Sequence, residues 1–351
     1  MGPSFQARPL GATVRGNREG YGCPVITRGR AEWDPDELPD LSGRMYLVTG
    51  ANAGLGYFAS EQLAGAGAHV VLSGRNPNRL AAAHDAIEAR VPGASVETLL
   101  LDVSNPGSIR AAAASVRGGL FSRSRLDGVL MNAGIVHTPR ARELTRDGRE
   151  LVFATNALGH FVLAAELLTT LAKSASRHQN SRLVWLGSMS THLGIAQPTD
   201  FQLERRYEAW HAYVQSKLVV HALGIEADER LREAGVPVDS VVAHPGYAIG
   251  GRTERVKGVN EPGRWKRLRD GVQPFAQSKR RGAASLVRAL IDPEVRGGEY
   301  WGPRFWTQGK PVRQQPSRWA VDREVRTRVW DECERLTGIE WPLARAARAA
   351  R

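Results

Sequence analysis

Tyr46-Leu47-Val48-Thr49-Gly50-Ala51-Asn52-Ala53-Gly54-Leu55-Gly56 is the stretch on which the fold turns. Three apolar residues read as the end of a buried strand, and the chain then turns through Thr49-Gly50 into a helix that begins near Gly54. Gly50 permits the tight turn, while Gly54 and Gly56 let backbone approach a phosphate and the sheet. Free amides at the helix start would face a pyrophosphate, whose charge the helix dipole favours. Glycines of this kind are common in strand-to-helix turns. Their position after the first strand of the domain makes this one a dinucleotide turn, with Gly50, Asn52, Gly54, Leu55 and Gly56 as candidate contacts.

Outward from this turn the pattern alternates. Apolar runs at 45–48, 69–72, 96–101, 128–131, 183–186 and 238–243 read as buried strands. Helical stretches fall at 54–66, 79–90, 108–116, 148–174 and 209–234. Strands alternating with helices predict a Rossmann-type α/β fold, a doubly wound parallel sheet in three α/β/α layers. Segments 191–208 and 250–277 break the rhythm. Long connections at the carboxyl ends of parallel strands are usually binding elements, so a single domain with inserted substrate loops is expected. A last strand at 298–301 and a helix at 320–336 follow. The organisation expected is a loosely ordered N-terminal arm at 1–40, a catalytic domain at 41–310 and a C-terminal extension at 311–351. Trp33 and Leu38-Pro39-Asp40-Leu41 would dock the arm.

A chain of 351 residues with 42% hydrophobic content supports such a core. No apolar run approaches the roughly 20 residues that span a bilayer, so no membrane span is expected. Cys23 and Cys333 are the only cysteines, which excludes a disulfide framework and points to a reducing cytoplasm. A net charge of +12 admits an anionic partner. The arginines are scattered, however, the densest cluster, Lys279-Arg280-Arg281, is short, and no base-reading motif is present. Nucleic acid is therefore not an expected partner.

Tyr213 and Lys217 lie four residues apart, just over one helical turn, so both project from one helix face. A nearby ammonium favours phenolate and draws a phenol pKa of about 10 toward a useful acid/base range. At the end of the second strand, Ser73-Gly74-Arg75-Asn76 lacks the acidic residue that reads a ribose hydroxyl. Arg75 would instead pair a 2′-phosphate, favouring NADP(H) over NAD(H). Leu101-Asp102-Val103 ends the third strand, where Asp102 can accept from an adenine amine or cap the next helix. Asn132-Ala133-Gly134 ends the fourth strand, leaving room for a ring. Ser188 follows the fifth strand and can hold a substrate oxygen; taken alone, it more often reads as a turn or cap residue. No nucleophile elbow surrounds it. His160, His192, His211, His221 and His244 lack metal-ligand spacing and read as packing or surface residues, so no metal site is expected.

Together these motifs resemble the short-chain dehydrogenase/reductase family over residues 44–305. The ordered set is Thr49-Gly50-x-x-x-Gly54-x-Gly56, Asp102, Asn132-Ala133-Gly134, Asn156, Ser188, Tyr213-x-x-x-Lys217 and Pro245-Gly246. Gly74-Arg75-Asn76-Pro77, Thr155-Asn156-Ala157-Leu158-Gly159-His160-Phe161 and His244-Pro245-Gly246-Tyr247-Ala248 are similar to the branch holding retinol dehydrogenases and actinobacterial reductases. The resemblance implies that Tyr213 exchanges a proton with the carbonyl or alcohol oxygen and that Ser188 polarises that oxygen. It implies further that Lys217 binds the nicotinamide ribose and lowers the Tyr213 pKa. Asn156 would hold a water linking Lys217 to solvent. Asp102, Val103, Asn132, Ala133, Gly134, Pro245 and Gly246 would join the cofactor contacts, and two copies would pair through the helices carrying Asn156 and Tyr213 unless the inserted loops block that surface.

Two features depart from the family. Gly250 stands where a nicotinamide-contacting Thr is usual, with Thr253 three residues on, and the stretch 1–30 has no counterpart. Phe201, Tyr207, Trp210, Trp265, Phe275, Trp301 and Trp306 would line a pocket for a bulky, apolar or polycyclic carbonyl, or would simply pack. Arg252, Arg264 and Lys266 would grip an acidic substrate or stay solvated. The leading expectation is an NADP(H)-dependent reductase of a ketone or aldehyde. Oxidation of a lipid-like or retinol-like alcohol is the second, and a non-catalytic NADPH sensor the third.

Overall fold

The computed structural model describes residues 33–119, 125–176, 179–193 and 199–351. Most of the expected arm, residues 1–32 with Cys23, lies outside the described residues. The neighbouring segment docks as expected: Leu41 is buried, its amide donates to the Ala66 carbonyl at 2.8 Å, and the Arg288 guanidinium lies over the Trp33 ring.

The first half runs β1 (Met45–Thr49), α1 (Gly54–Gly65), β2 (His69–Gly74), α2 (Pro77–Arg90), β3 (Ser95–Leu100), α3 (Pro106–Arg117) and β4 (Gly128–Met131). Next come α4 (Leu151–Phe153), a π-helical turn Ala154–Leu158, α5 (Gly159–Ser174), β5 (Ser181–Leu186), α6 (Ala209–Glu233) and β6 (Val238–Ala243). The chain finishes with β7 (Ala248–Ile249), α7 (Arg264–Gly271), β8 (Gln277–Ser278), α8 (Lys279–Ile291), β9 (Tyr300–Pro303), β10 (Pro311–Gln314), α9 (Arg318–Val321), α10 (Arg323–Thr337) and α11 (Leu343–Ala349).

The eight-stranded sheet has the order β10-β9-β6-β5-β4-β1-β2-β3, parallel throughout except for β10. From β1 the chain goes to β2 on one side and later to β4 on the other, so the switch point lies between β1 and β4. Every residue of β1, β2, β4 and β5 is buried, as expected of strands covered on both faces. Apolar clusters lie on the two faces: α3, α5 and α6 cover one, and α1, α2 and α8 the other. Asn76 and Asn105 each cap a helix whose first residue is Pro, which fixes the starts of α2 and α3.

Several boundaries and elements differ from expectation for local reasons. The helix expected from 148 starts at 151, because Gly148 has φ +77° and Glu150 caps Val152 and Phe153. The helix expected over 320–336 divides at Asp322, whose carboxylate accepts from the Val325 amide. The strand expected at 298 starts at Tyr300, since Gly298 is left-handed. The helices α7 and α8 and strand β10 were not expected. In α8, Ala283, Leu286, Val287 and Leu290 repeat at helical spacing, but the basic Lys279-Arg280-Arg281 that opens it masked the pattern.

Residues 311–351 close on the same core: β10 pairs with β9, α10 packs on α6 and α11 on α5. Phe161, Trp330 and Trp341 form an aromatic trio with ring centroids 4.9–5.7 Å apart. These additions pack on α5 and α6, the two helices through which the resemblance would pair two copies. The expectation about apolar runs also needs correction. Leu151–Ser174 is long and apolar enough to cross a membrane, but its apolar window is 89% buried in this protein's core.

Candidate active site

The glycine turn lies at the switch point and is built by close approach. Gly50 has φ +66°, and a Cβ there would sit 2.9 Å from Ala133 Cα. A Cβ on Gly56 would meet Asn132 Nδ2 and the Gly50 carbonyl at 2.5 Å. Asn132 ties the turn to β4: its Nδ2 donates to the carbonyl oxygens of Thr49 and Gly50 at 2.8 and 3.3 Å. Thr49 Oγ1 accepts from the amides of Asn132 and Ala133, both at 2.9 Å. Asn52 Oδ1 comes within 3.1 Å of a Cβ placed on Gly74, so the turn also meets the end of β2 beside the exposed Arg75. This bare backbone, with the free amides of α1, fits a dinucleotide phosphate.

At the carboxyl ends of β4 and β5 the expected reacting groups converge. The Tyr213 hydroxyl donates to Ser188 Oγ at 3.3 Å, and Ser188 Oγ accepts from the Ser190 hydroxyl and amide. Lys217 is buried, and its Nζ donates to the Leu186 carbonyl at 2.8 Å. Gly134 is wedged between two of these groups, since a Cβ on it would lie 2.9 Å from Asn156 Oδ1 and 3.8 Å from Lys217 Nζ. Asn156 sits in the π-helical turn. Its side chain accepts from the Ile135 amide and donates to the Ile135 carbonyl and to Ser216 Oγ. A π-turn misaligns backbone carbonyls, which is why such turns recur at functional sites.

The electrostatics differ from expectation. Burial pushes the Tyr213 phenol above its usual range, and the Ser188 hydrogen bond is the only cause acting downward. Burial draws Lys217 down to about 7. Desolvation governs both groups in this arrangement, and the expected lowering of the phenol by a neighbouring ammonium does not contribute.

Two histidines read from the sequence as packing residues touch the site. His221, one turn beyond Lys217, accepts the Ser188 amide proton on Nε2 at 3.1 Å. His160 bridges Thr49 Oγ1 of the glycine turn and the Asn156 carbonyl, at 3.0 and 3.2 Å. Burial pulls His160 down to about 4 and His221 well below its usual range, so both are neutral connectors. The only signal for them was helical spacing, with each four residues beyond a site residue. His244 pairs with Gln314 of β10, and His192 packs edge-on to Trp306.

The remaining expected residues divide. Asp102 uses Oδ1 on the amide and hydroxyl of Ser104 in the turn before α3, while the helix cap weighed for it is Asn105. The Val103 carbonyl abuts Gly159, and the Pro245 carbonyl accepts from Gln277. Gly246 has φ +64° against Thr307. Thr253, near the departure at Gly250, accepts from the Lys279 amide and donates to the Ile249 carbonyl, so it pegs α8 in place. Arg252 is bound to the carbonyls of Asp270, Gly271 and Ala276. Phe201 and Trp301 are core residues. Trp210 lies 5.7 Å from the Tyr213 ring, Tyr207 donates to the Pro139 carbonyl, and Trp265 and Phe275 are exposed.

A glycine turn at the crevice of a doubly wound sheet, facing a Tyr/Ser/Lys set, defines an oxidoreductase of Rossmann type. The sequence matches short chain dehydrogenase over residues 44–251, and the chain belongs to this family, whose members bind a nicotinamide cofactor. It is similar to polyprenol dehydrogenase from Mus musculus, 32% identical over 315 residues and covering 90% of each chain. It is similar also to retinol dehydrogenase 12 from Homo sapiens, 31% identical over 301 residues, or 86% of this chain and 88% of that one. A solved structure of an uncharacterized protein from Mycobacterium Paratuberculosis is 31% identical with a TM-score of 0.70, covering 89% of this chain and 100% of that one. The expected fold and the retinol-dehydrogenase-like branch are thus borne out.

Proposed function

We propose that the protein is an NADP(H)-dependent reductase that converts a bulky, apolar or polycyclic ketone or aldehyde to an alcohol in the cytoplasm. The observation that carries this reading is the Tyr213–Ser188 hydrogen bond of 3.3 Å, beside buried Lys217 and across from the glycine turn. Gly50, Asn52, Gly54, Leu55 and Gly56 would hold the cofactor with Asp102, Val103, Asn132, Ala133, Gly134, Pro245 and Gly246. Arg75, exposed and without an ion pair among the described residues, would take the 2′-phosphate. When bound, the nicotinamide supplies the hydride. Tyr213 gives a proton to the carbonyl oxygen, Ser188 hydrogen-bonds that oxygen, and Lys217 and Asn156 connect the phenol to solvent. The raised Tyr213 pKa keeps the phenol protonated at neutral pH, the form a proton donor needs.

A second reading, oxidation of a lipid-like alcohol, draws support from the names of the polyprenol and retinol dehydrogenase relatives. NADPH oxidation, followed by absorbance against aromatic, polycyclic and aliphatic carbonyls with NADH in parallel, tests both. Turnover confined to NADPH supports the leading reading. Equal use of NADH removes the role given to Arg75. Turnover only of alcohols with NADP+ favours the second reading.

A further inference from the structure

Lys279, the first residue of α8, reaches the cofactor turn at Gly54, and Lys266, on α7 of the inserted segment 250–277, reaches Gly250. A Cβ on Gly54 would lie 3.6 Å from Lys279 Nζ, and one on Gly250 would lie 3.7 Å from Lys266 Nζ. Gly54 opens α1, where free amides point at the phosphate position. Gly250 provides the space that a Thr side chain would fill, and the lysine stem reaches into it. Each ammonium lacks an acidic partner among the described residues. Their neighbour Arg280, by contrast, pairs with Glu61, which also holds Arg90. Burial, and after it the repulsion of the Lys266 ammonium, holds Lys279 below the usual lysine range. Cations held together without counter-charge are relieved by an anion placed between them.

We propose that Lys279 and Lys266 form a two-pronged clamp on the pyrophosphate of the nicotinamide cofactor, so that α7 of the inserted segment closes onto bound dinucleotide. The clamp rests on the cofactor reading above but not on the choice between NADP(H) and NAD(H), because both carry the same pyrophosphate. It also assigns to two lysines a hold on the cofactor beyond the backbone amides of the turn.

Dissociation constants of NADPH, NADH and adenosine 2′-monophosphate, measured by titration calorimetry on wild type, Lys279→Ala, Lys279→Arg and Lys266→Ala, test it. Each Ala variant should bind both dinucleotides roughly tenfold more weakly and with a shallower salt dependence, as expected for loss of one charge-assisted contact. Binding of adenosine 2′-monophosphate, which lacks the pyrophosphate, should be unchanged, and Lys279→Arg should keep most of the affinity. Unchanged dinucleotide affinity in both Ala variants overturns the clamp alone. So does an equal loss for adenosine 2′-monophosphate, or a variant that alters only substrate KM. If the wild type binds neither dinucleotide, the cofactor reading falls and the clamp with it.

Discussion

Ser188 is held from three sides: by the Tyr213 hydroxyl, by Ser190, and through its amide by His221. Ser188→Ala removes the group proposed to polarise the substrate oxygen and should lower kcat about a hundredfold while leaving NADPH affinity intact. Steady-state kinetics beside a binding titration check this. The histidines at this scale also set the acid stability. Burial draws His160 and His244 to about 4 from 6.5, and pulls His221 well below its usual range. Below pH 6.5 the unfolded chain therefore binds protons that the folded chain does not. Stability should fall as pH drops toward 4, by up to about 1.4 kcal/mol per pH unit for each histidine. Urea unfolding across this range should give a shallower slope for His160→Asn, and an unchanged slope would contradict the assignment. The Tyr213 and Lys217 pair was legible because its chemistry fixes residue type and spacing, whereas Ser188 stood out only through the family resemblance. His160 and His221 were not legible, because a buried neutral histidine carries no pattern of its own in a single sequence.

At the scale of elements, the turn between β1 and α1 depends on glycines that a side chain would displace. Gly56→Ala would drive a methyl into Asn132 Nδ2 and the Gly50 carbonyl, at a cost of about 1–3 kcal/mol, and should weaken dinucleotide binding more than it lowers Tm. Thermal unfolding beside NADPH titration separates the two effects. The strands of the parallel sheet were legible to within a residue or two, since burial on both faces leaves continuous apolar runs. The inserted segment was legible only as an interruption. Its helix α7 is short and mostly exposed, so no apolar period marks it, and nothing in the composition of Ala154–Leu158 distinguishes its π-turn from an ordinary helix.

Over the whole molecule, the C-terminal helices complete the core instead of trailing from it. Trp330 and Trp341 are buried against Phe161 of α5, and Arg326 of α10 bonds to Glu229 of α6. With α5 and α6 covered in this way, light scattering should find a monomer, and a stable dimer would contradict this use of the surface. The sequence marked a helix near 320–336 but not its place, because long-range docking of a polar-faced helix is set by the partner face. The proposed reduction depends on Tyr213 as proton donor, and single-turnover carbonyl reduction by wild type and Tyr213→Phe, each loaded with NADPH to an occupancy verified by fluorescence, isolates that step. Equal NADPH binding and a loss of about a thousandfold in the reduction rate of the variant are expected. A variant that reduces the carbonyl at the wild-type rate would contradict this role of Tyr213.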